Sequence, residues 1–391
     1  MEKNNKTLNV PNLRFPEFSG EWEKCTLGGI GTTFNGLTGK SANDFGSGSP
    51  FITYKSIFDS SKIDISKVEY VRISETERAK QTQNEVEYGD IFFTTSSETP
   101  EEVGMASVLL TPIHDCYLNS FCFGYRLFDK QAYLPDFFRF YLRSNNVRRK
   151  IAILAQGSTR FNISKNEVMK MSIFLPPQNE QRKISEFFSL IEERIETQKK
   201  IIEDLKKLKD AIRTKLFRHM ESTCSAYDET RNMLDYEQPT EYLVNSTEYS
   251  DSYQTPVLTA NKAFILGYTD EVHGIYDKSD CIILDDFTMD VKYVTFPFKV
   301  KSSAIKILTA KQGVDLYFMY EYLLHLGLVS EEHKRHYISE IEPMTLFRPT
   351  LQEQNRIVQT LKALDMQVQS ANRLSDLLLK QKQYIISQMF I

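Results

Sequence analysis

The chain has 391 residues, of which 41% are hydrophobic and 26% charged, and its formal net charge is −4 at pH 7. This composition is ordinary for a globular protein, and the length allows two or three domains that each bury a core. It excludes a strongly basic protein, so any binding to nucleic acid would depend on small positive patches, with partner subunits neutralising further phosphates.

The sequence also argues against a membrane or secreted protein. No apolar run approaches the roughly 18 residues of a membrane span, and the start lacks the hydrophobic region of a signal peptide. We therefore expect a cytoplasmic protein without membrane contact. The five cysteines are scattered without a CxxC pair, which disfavours a disulfide framework or a zinc site.

The first 175 residues predict an arm followed by a globular unit. Residues 1–20 are polar and contain two prolines, which predicts an arm. Residues 21–175 contain short apolar runs separated by Gly, Asn and Ser, such as Ile91-Phe92-Phe93-Thr94, and these are typical of strands joined by turns. The pattern becomes helical over 136–150, and the apolar run 171–175 predicts a last short strand.

Residues 176–217 reappear as 349–390 at a constant offset of 173, and they make up most of two predicted helical domains, 176–222 and 349–391. Apolar residues recur in each copy at alternating spacings of four and three over about five heptads, which predicts a helix about 60 Å long with one narrow apolar seam. Such a seam needs another helix to bury it. We expect the two copies to pair antiparallel, because parallel pairing would bring two bulky units to one end. The predicted seam consists of Ile184, Phe188, Ile191, Ile195, Ile202, Leu205, Ile212 and Leu216 in the first copy and Ile357, Leu361, Leu364, Val368, Leu378, Ile385 and Met389 in the second.

Residues 223–348 predict a second globular unit with the layout of the first but little shared sequence. The polar stretch 222–240 is predicted to be a linker. Beyond it, three runs are predicted counterparts of runs in the first unit: 256–262 of 50–56, 281–284 of 91–94, and 317–324 of the first aromatic helix. The sequence thus predicts an α+β chain in which two globular units are separated by two long helices that pair as an antiparallel coiled coil, with pseudo-two-fold symmetry.

Short motifs follow one another in a fixed order along the chain. They are Leu13-Arg14-Phe15-Pro16-Glu17-Phe18 before Trp22-Glu23, Gly89-Asp90-Ile91-Phe92-Phe93-Thr94, Leu175-Pro176-Pro177 with Glu180-Gln181-Arg182-Lys183-Ile184, the helix end Lys215-Leu216-Phe217, and a weaker second set of Pro349, Glu353-Gln354, Ile357 and Phe390. In this order, and with the internal repeat, the chain resembles the specificity (S) subunit of type I restriction–modification systems. The second half departs from the pattern, because the opening Trp-Glu is missing and Arg348-Pro349-Thr350 replaces Leu-Pro-Pro.

The resemblance implies that 21–175 and 223–348 are target-recognition domains, each reading one half of a split site in double-stranded DNA. It implies that the helices 176–222 and 349–391 act as a spacer and as a docking surface for two methyltransferase subunits, through which restriction/translocase subunits join. The chain itself would be non-catalytic and would hold no cofactor or metal. S-adenosylmethionine, ATP and Mg²⁺ would belong to the partner subunits.

Two other classes of function remain as alternatives: an autonomous site-specific nuclease or methyltransferase, and a coiled-coil scaffold without a nucleic-acid role. A nuclease centre could use Asp280 or Asp286 with Asp290-Val291-Lys292, which resembles spaced acids plus lysine around Mg²⁺. We interpret this stretch as a hairpin instead. Leu175-Pro176-Pro177-Gln178 lacks the acceptor and aromatic ring of an adenine methyltransferase loop, and His333-Lys334-Arg335-His336 is interpreted as a solvated helix face.

The DNA-contacting residues are predicted to be polar and basic side chains on loops near strand ends. Arg and Lys pair with guanine or phosphate, and Asn pairs with adenine in the major groove. The segment 157–162 is the strongest candidate. The predicted residues are Lys40, Thr53, Lys55, Ser158, Thr159, Arg160 and Asn162 in the first unit and Asn261, Lys262, Lys301, Ser302 and Ser303 in the second.

Overall fold

A computed structural model describes residues 9–81, 84–259, 264–330 and 335–391. The chain is α+β, as predicted, and divides into two compact units. Unit 1 comprises Met1–Gln198 and Leu374–Ile391, and unit 2 comprises Lys199–Arg373. Each long helix therefore contributes one part to each unit. Over the described ranges, no helix is apolar for long enough to cross a bilayer.

Unit 1 consists of short strands and helices together with one part of each long helix. Its strands are β1 (Glu23–Thr26), β2 (Gly31–Asn35), β3 (Phe45–Ile52), β4 (Glu69–Val71), β5 (Ile91–Thr94), β6 (Ser96–Ser97), β7 (Ala106–Val108), β8 (Tyr117–Leu118), β9 (Cys122–Leu127), β10 (Phe161–Asn162) and β11 (Ser172–Leu175). Its helices are α1 (Leu27–Ile30), α2 (Tyr54–Asp59), α3 (Glu75–Gln81), α4 (Pro135–Tyr141), α5 (Asn145–Ile153), α6 (Lys165–Lys170), the first part of α7 (Gln178–Thr223) and the last part of the second long helix, α10 (Leu351–Met389).

The core of unit 1 surrounds a four-stranded antiparallel sheet in the order β2-β9-β5-β7. Phe93 packs with Phe137 of α4 in one cluster, while Phe92 packs with Ile52 in another. Because both faces of β5 are covered, its sequence is continuously apolar rather than alternating. A second sheet has the order β4-β3-β8, and β1 pairs with β11.

Unit 2 is built from a similar series of elements. Its strands are β12 (Tyr227–Glu229), β13 (Leu234–Glu237), β14 (Thr255–Leu258), β15 (Ile265–Thr269), β16 (Cys281–Asp285), β17 (Val291–Val294), β18 (Lys299–Val300), β19 (Ile305–Ala310) and β20 (Thr345–Phe347). Its helices are α8 (Thr230–Met233), α9 (Leu316–Leu326) and the first part of α10 (Leu351–Met389), together with the last part of α7.

The two units repeat one sheet topology. The four-stranded sheet of unit 2 has the order β13-β19-β16-β17, a second sheet has the order β15-β14-β18, and β12 pairs with β20. In the second sheet of each unit the central strand has one antiparallel and one parallel neighbour. The predicted repetition of layout is confirmed: Pro50 and Pro256 lie on the central strands β3 and β14, and the apolar strands β5 and β16 correspond.

The predicted linker at 222–240 is wrong. The helix α7 ends at Thr223, and β12, α8 and β13 follow at once. Tyr227 of β12 lies opposite Phe347, and Leu234 of β13 opposite Ala310. These short strands are polar on their exposed faces and pair with strands 70 to 120 positions away.

The long helices pair antiparallel within each unit. In unit 1 the rings of Phe188 and Phe390 stack with centroids 5.6 Å apart, and the ammonium of Lys382 lies 2.6 Å from the carboxylate of Glu192. Later residues of α7 thus meet earlier residues of α10. In unit 2, Phe217 of α7 shares a core cluster with Ile357, at the start of α10.

All predicted seam residues are buried or half-buried on these helices. The buried ones are Ile184, Phe188, Ile195, Ile202, Ile357, Leu361, Leu378 and Met389, and the half-buried ones are Ile191, Leu205, Ile212, Leu216, Leu364, Val368 and Ile385.

The described part of the predicted arm, 9–20, packs on the helices of unit 1. Arg14 donates from Nε and Nη2 to the two carboxylate oxygens of Glu180, each at 2.7 Å. The amide of Leu13 donates to the carbonyl of Gln388, and the ring of Phe15 meets that of Phe187 edge-on. This segment therefore connects the start of α7 with the end of α10.

Candidate nucleic-acid interface

Four loop segments of unit 1 meet at one surface, here called the loop surface: 53–56, 95–97, 119–122 and 156–163. The hydroxyl of Tyr54 donates to the carbonyl of Ser96 at 2.6 Å, and the amide of Thr95 donates to the carbonyl of Phe121 at 3.0 Å. Ser96 in β6 also lies opposite Asn162 in β10. Hydrogen bonds between the segment 95–97 and each of the other three segments thus hold the loop surface together.

The segment 156–162 is a tight hairpin at the edge of the loop surface. The backbones of Gln156 and Asn162 exchange two hydrogen bonds, of 2.9 and 2.8 Å. Gly157 has φ of +133°, and a Cβ there would lie 2.1 Å from the carbonyl oxygen of Arg160, so only glycine fits this turn. The hairpin leaves Ser158, Thr159 and Arg160 exposed at its tip.

The charge of the loop surface is mixed. Lys55 and Arg160 are exposed, and Lys165 donates to the side-chain oxygen of Asn35 at 2.7 Å. Burial raises the pKa of Tyr54 above its ordinary value, and the nearby positive charge of Arg160 acts in the opposite direction. Carboxylates also lie close by, since Ser97 donates to Glu102. The surface therefore offers cations for phosphate or guanine without being strongly positive overall.

Two of the predicted contacts in unit 1 have structural partners instead. The ammonium of Lys40 donates to Glu77 at 2.7 Å and to the carbonyl of Arg72, and its side chain is only 8% exposed. The hydroxyl of Thr53 accepts from the amide of Ser56 and caps α2. Lys40 and Thr53 thus stabilise their loops. The side-chain amide of Asn162 donates to the carbonyl of Arg160, which steadies the hairpin tip.

In unit 2 the turn between β18 and β19 carries Lys301, Ser302 and Ser303. The amide of Lys301 donates to the carbonyl of Leu258, as the amide of Asn119 donates to that of Ile52 in unit 1. Lys301 is exposed, with its ammonium 5.7 Å from the ring centroid of Tyr249. The hydroxyl of Ser302 accepts from the amide of Ala304, so it shapes the turn, whereas Ser303 is exposed. Asn261 and Lys262 lie outside the described residues.

Comparison with known proteins identifies the family. A family model described as the type I restriction modification DNA specificity domain matches residues 19–207. The EcoR124I/EcoR124II specificity subunit of Escherichia coli is 51% identical over 110 residues, which are 27% of this chain and 27% of that one. The aligned stretch thus spans about a quarter of the E. coli subunit.

Two further relatives cover nearly the whole chain. A putative type I restriction enzyme MjaX specificity subunit of Methanocaldococcus jannaschii is 24% identical over 98% of this chain and 96% of its own length. The crystal structure of a type I S subunit from M. genitalium has the same fold, with a TM-score of 0.56 at 15% identity over 98% of this chain and 99% of that chain. Residues 19–207 thus belong to the type I DNA specificity domain family, and the chain is similar over nearly its whole length to type I specificity subunits. In this family the specificity subunit is the non-catalytic, DNA-recognising member of the complex.

The acids that suggested a nuclease accept hydrogen bonds from neighbouring groups of the protein. They lie on the β16–β17 hairpin, as interpreted from the sequence. Asp286 is buried, accepts from the backbone amides of His336 and Tyr337, and lies 3.4 Å from the ammonium of Lys306. Its oxygens are therefore used within the protein.

The remaining acids of the hairpin and the neighbouring histidine also have local partners. Asp280 accepts from the hydroxyl of Tyr293, and Asp290 accepts from that of Thr288. The prediction of a solvated face at 333–336 is wrong for His336, which is buried, and its backbone amide donates a hydrogen bond to the carboxylate of Asp286. His333 and Lys334 lie outside the described residues.

Sequence reasoning missed Phe121, which lies on the loop surface, and Lys165, which follows the segment 156–163 at the start of α6. Phe121 follows Asn119-Ser120, a turn-forming pair, so the sequence could have predicted an exposed ring at this turn. Lys165 gave no such signal, because its place beside Asn35 depends on contact across 130 positions.

Proposed function

We propose that this specificity subunit reads a bipartite DNA site, one half-site with unit 1 and the other with unit 2. The observation that carries the proposal is the repeated topology: the same sheets occur twice, while corresponding turns present different side chains. At the turn after β8, unit 1 has Asn119, Ser120 and Phe121, and after β18 unit 2 has Lys301, Ser302 and Ser303. One scaffold with two different sets of turns suits two different half-sites.

In unit 1 the loop surface would face the DNA. Arg160 at the hairpin tip and Lys55 on α2 would contact a base edge or phosphates, because both are exposed cations on rigid elements. In unit 2 we assign the same role to Lys301 and Ser303. The target-recognition domains would correspond to 21–175 and 223–348, with 176–222 and 349–391 as the spacer helices between them.

The spacer helices would also dock the catalytic partners. Apart from the paired seam they expose large apolar side chains: Leu190, Ile201 and Leu208 on α7 and Met366, Leu377 and Tyr384 on α10. Exposed apolar residues along a helix are typical of an interaction face. Two methyltransferase subunits would bind there, and restriction/translocase subunits would join through them. S-adenosylmethionine, ATP and Mg²⁺ would be bound by these partners, in the cytoplasm.

Genome-wide methylation mapping tests this proposal. A host that carries the subunit with its methyltransferase partners should methylate one split motif. Replacing 21–175 by the equivalent part of a relative should change one half of that motif, and replacing 223–348, the matched control, should change only the other. Either replacement altering both halves would show that the units are not independent readers.

A further inference from the structure

The ring of Phe121 is held out from the loop surface by a rigid turn. Its carbonyl accepts from both the amide and the hydroxyl of Thr95, at 3.0 and 2.7 Å. Its amide donates to the side-chain oxygen of Asn119 at 2.8 Å, and the amide of Cys122 donates to the carbonyl of Asn119. The backbone on both sides of Phe121 is therefore fixed.

The side chain of Phe121 itself is 62% exposed. Leaving a phenyl ring in water forgoes the gain of burying it, and four hydrogen bonds fix the backbone of the turn that presents this ring. The turn of Phe121 is joined to the base of the hairpin, because Thr95, which binds the carbonyl of Phe121, also accepts from the amide of Ile163 through its own carbonyl. Phe121 is thus an apolar group fixed within a surface of polar and charged side chains.

The corresponding turn of unit 2 has no aromatic ring. There Lys301, Ser302 and Ser303 precede Ala304, which is buried. The backbone bond that anchors the turn is retained, from Asn119 to Ile52 in unit 1 and from Lys301 to Leu258 in unit 2. The ring is therefore not needed to build this turn, and its chemistry is specific to unit 1.

We propose that Phe121 packs against the 5-methyl group of a thymine in the major groove of the first half-site and so specifies a T·A pair there. Phenylalanine is among the side chains that make apolar contact with this methyl group, the one apolar feature that distinguishes base pairs in the groove. This inference rests on the proposed function of unit 1 as a DNA reader.

Replacing thymine by deoxyuridine tests the contact, since it removes only the methyl group. Binding of the subunit with its methyltransferase partners is measured on duplexes in which each thymine of the mapped motif is replaced in turn. At one position of the first half-site, binding should weaken about fourfold, the value of one buried methyl group. Phe121→Ser should bind both duplexes alike, and Phe121→Leu should keep part of the preference.

Phe128→Ser is the matched control. Phe128 is 68% exposed but follows β9, whereas Phe121 precedes it, so the two rings lie at opposite ends of one strand. This variant should behave like the unaltered protein.

Three results would overturn the assignment. The first is indifference to deoxyuridine at every thymine of the first half-site, or a first half-site without an A·T pair. The second is equal sensitivity to deoxyuridine in Phe121→Ser and in the unaltered protein. The third is loss of methyltransferase binding in Phe121→Ser with half-site preference retained, which would make the ring a protein contact. Failure of the proposed function looks different, because the unaltered complex would then methylate no defined sequence.

Discussion

Lys382 and Glu192 form an ion pair of 2.6 Å between α10 and α7 in unit 1. The residues 173 positions away, Lys209 and Asp365, form the same pair in unit 2, at 2.5 Å. In the first pair the lysine belongs to the second copy of the repeat, and in the second pair it belongs to the first copy. The same ion pair thus joins the two helix copies in both units, but the copy that supplies the lysine in one unit supplies the carboxylate in the other. Antiparallel pairing of duplicated helices requires this exchange.

The ion pair of unit 2 is extended by a buried acid. Glu321 of α9 is fully buried and binds the ammonium of Lys209 at 2.7 Å and the guanidinium of Arg213 at 2.6 Å. We expect Glu321→Ala to lower the free energy of unfolding by about 3–5 kcal/mol, because it leaves two cations without their buried carboxylate. Glu192→Ala, at a partly exposed site, should cost about 1 kcal/mol or less. Denaturant unfolding followed by circular dichroism compares them, and equal costs would contradict the role assigned to burial.

Arg160 and Lys40 carry the same charge in different surroundings. If Arg160 contacts a base edge, Arg160→Ala should weaken DNA binding by the assembled complex by about 1–3 kcal/mol and relax one position of the first half-site. Lys40→Ala should leave specificity unchanged, because its ammonium is engaged by Glu77. Methylation mapping and binding titrations test both. Uniform weakening across sequences in Arg160→Ala would instead identify a phosphate contact.

The length of the long helices α7 and α10 should set the spacing between the two half-sites. Inserting one heptad after Gln198 in α7 and one after Ser375 in α10 lengthens each helix by about 10 Å and keeps the seam in register. At 3.4 Å per base pair, the spacer in the methylated motif should grow by about three base pairs with both half-sites unchanged. A motif with its original spacer would refute this role of the helices.

The acids of the β16–β17 hairpin should be dispensable for cleavage. Asp290→Ala and Lys292→Ala are expected to leave DNA cleavage by the full complex within a few-fold of normal, since Asp290 is used by Thr288 in the turn. A carboxylate that held a catalytic metal ion would cost orders of magnitude in rate. Such a loss in a variant with unchanged circular dichroism would restore the nuclease hypothesis.

The net charge of −4 leads to a prediction about how DNA binding depends on salt concentration. The isolated subunit should bind its site weakly at physiological salt and much more tightly with methyltransferase subunits. Because each neutralised phosphate contributes about −0.9 to the slope of log affinity against log salt, the complex should show the steeper slope. Equal slopes in titrations with and without partners would exclude shared phosphate contacts.

The long helices could be predicted from the sequence because their period repeats over many turns, so residues such as Ile184 and Ile357 each belong to a redundant pattern. The strands β12 and β13 could not, because Tyr-Asp-Glu and Leu-Asp-Tyr-Glu carry too few residues for a period and depend on distant partners. The residues that contact DNA were harder still to predict from the sequence. Lys40 looks like any loop lysine until its bond to Glu77, 37 positions away, is known.

The interleaving of the two units bears on synthesis of the chain. Phe390 lies in the core of unit 1, where its ring meets those of Phe137, Tyr141 and Phe188. Unit 2, at Lys199–Arg373, is continuous in sequence, whereas unit 1 needs Leu374–Ile391. On the ribosome, the core of unit 1 therefore cannot be completed until residues 374–391 have been made, after the whole of unit 2. Ribosomes that stop just short of that segment would release a chain whose first-made half is the incomplete one.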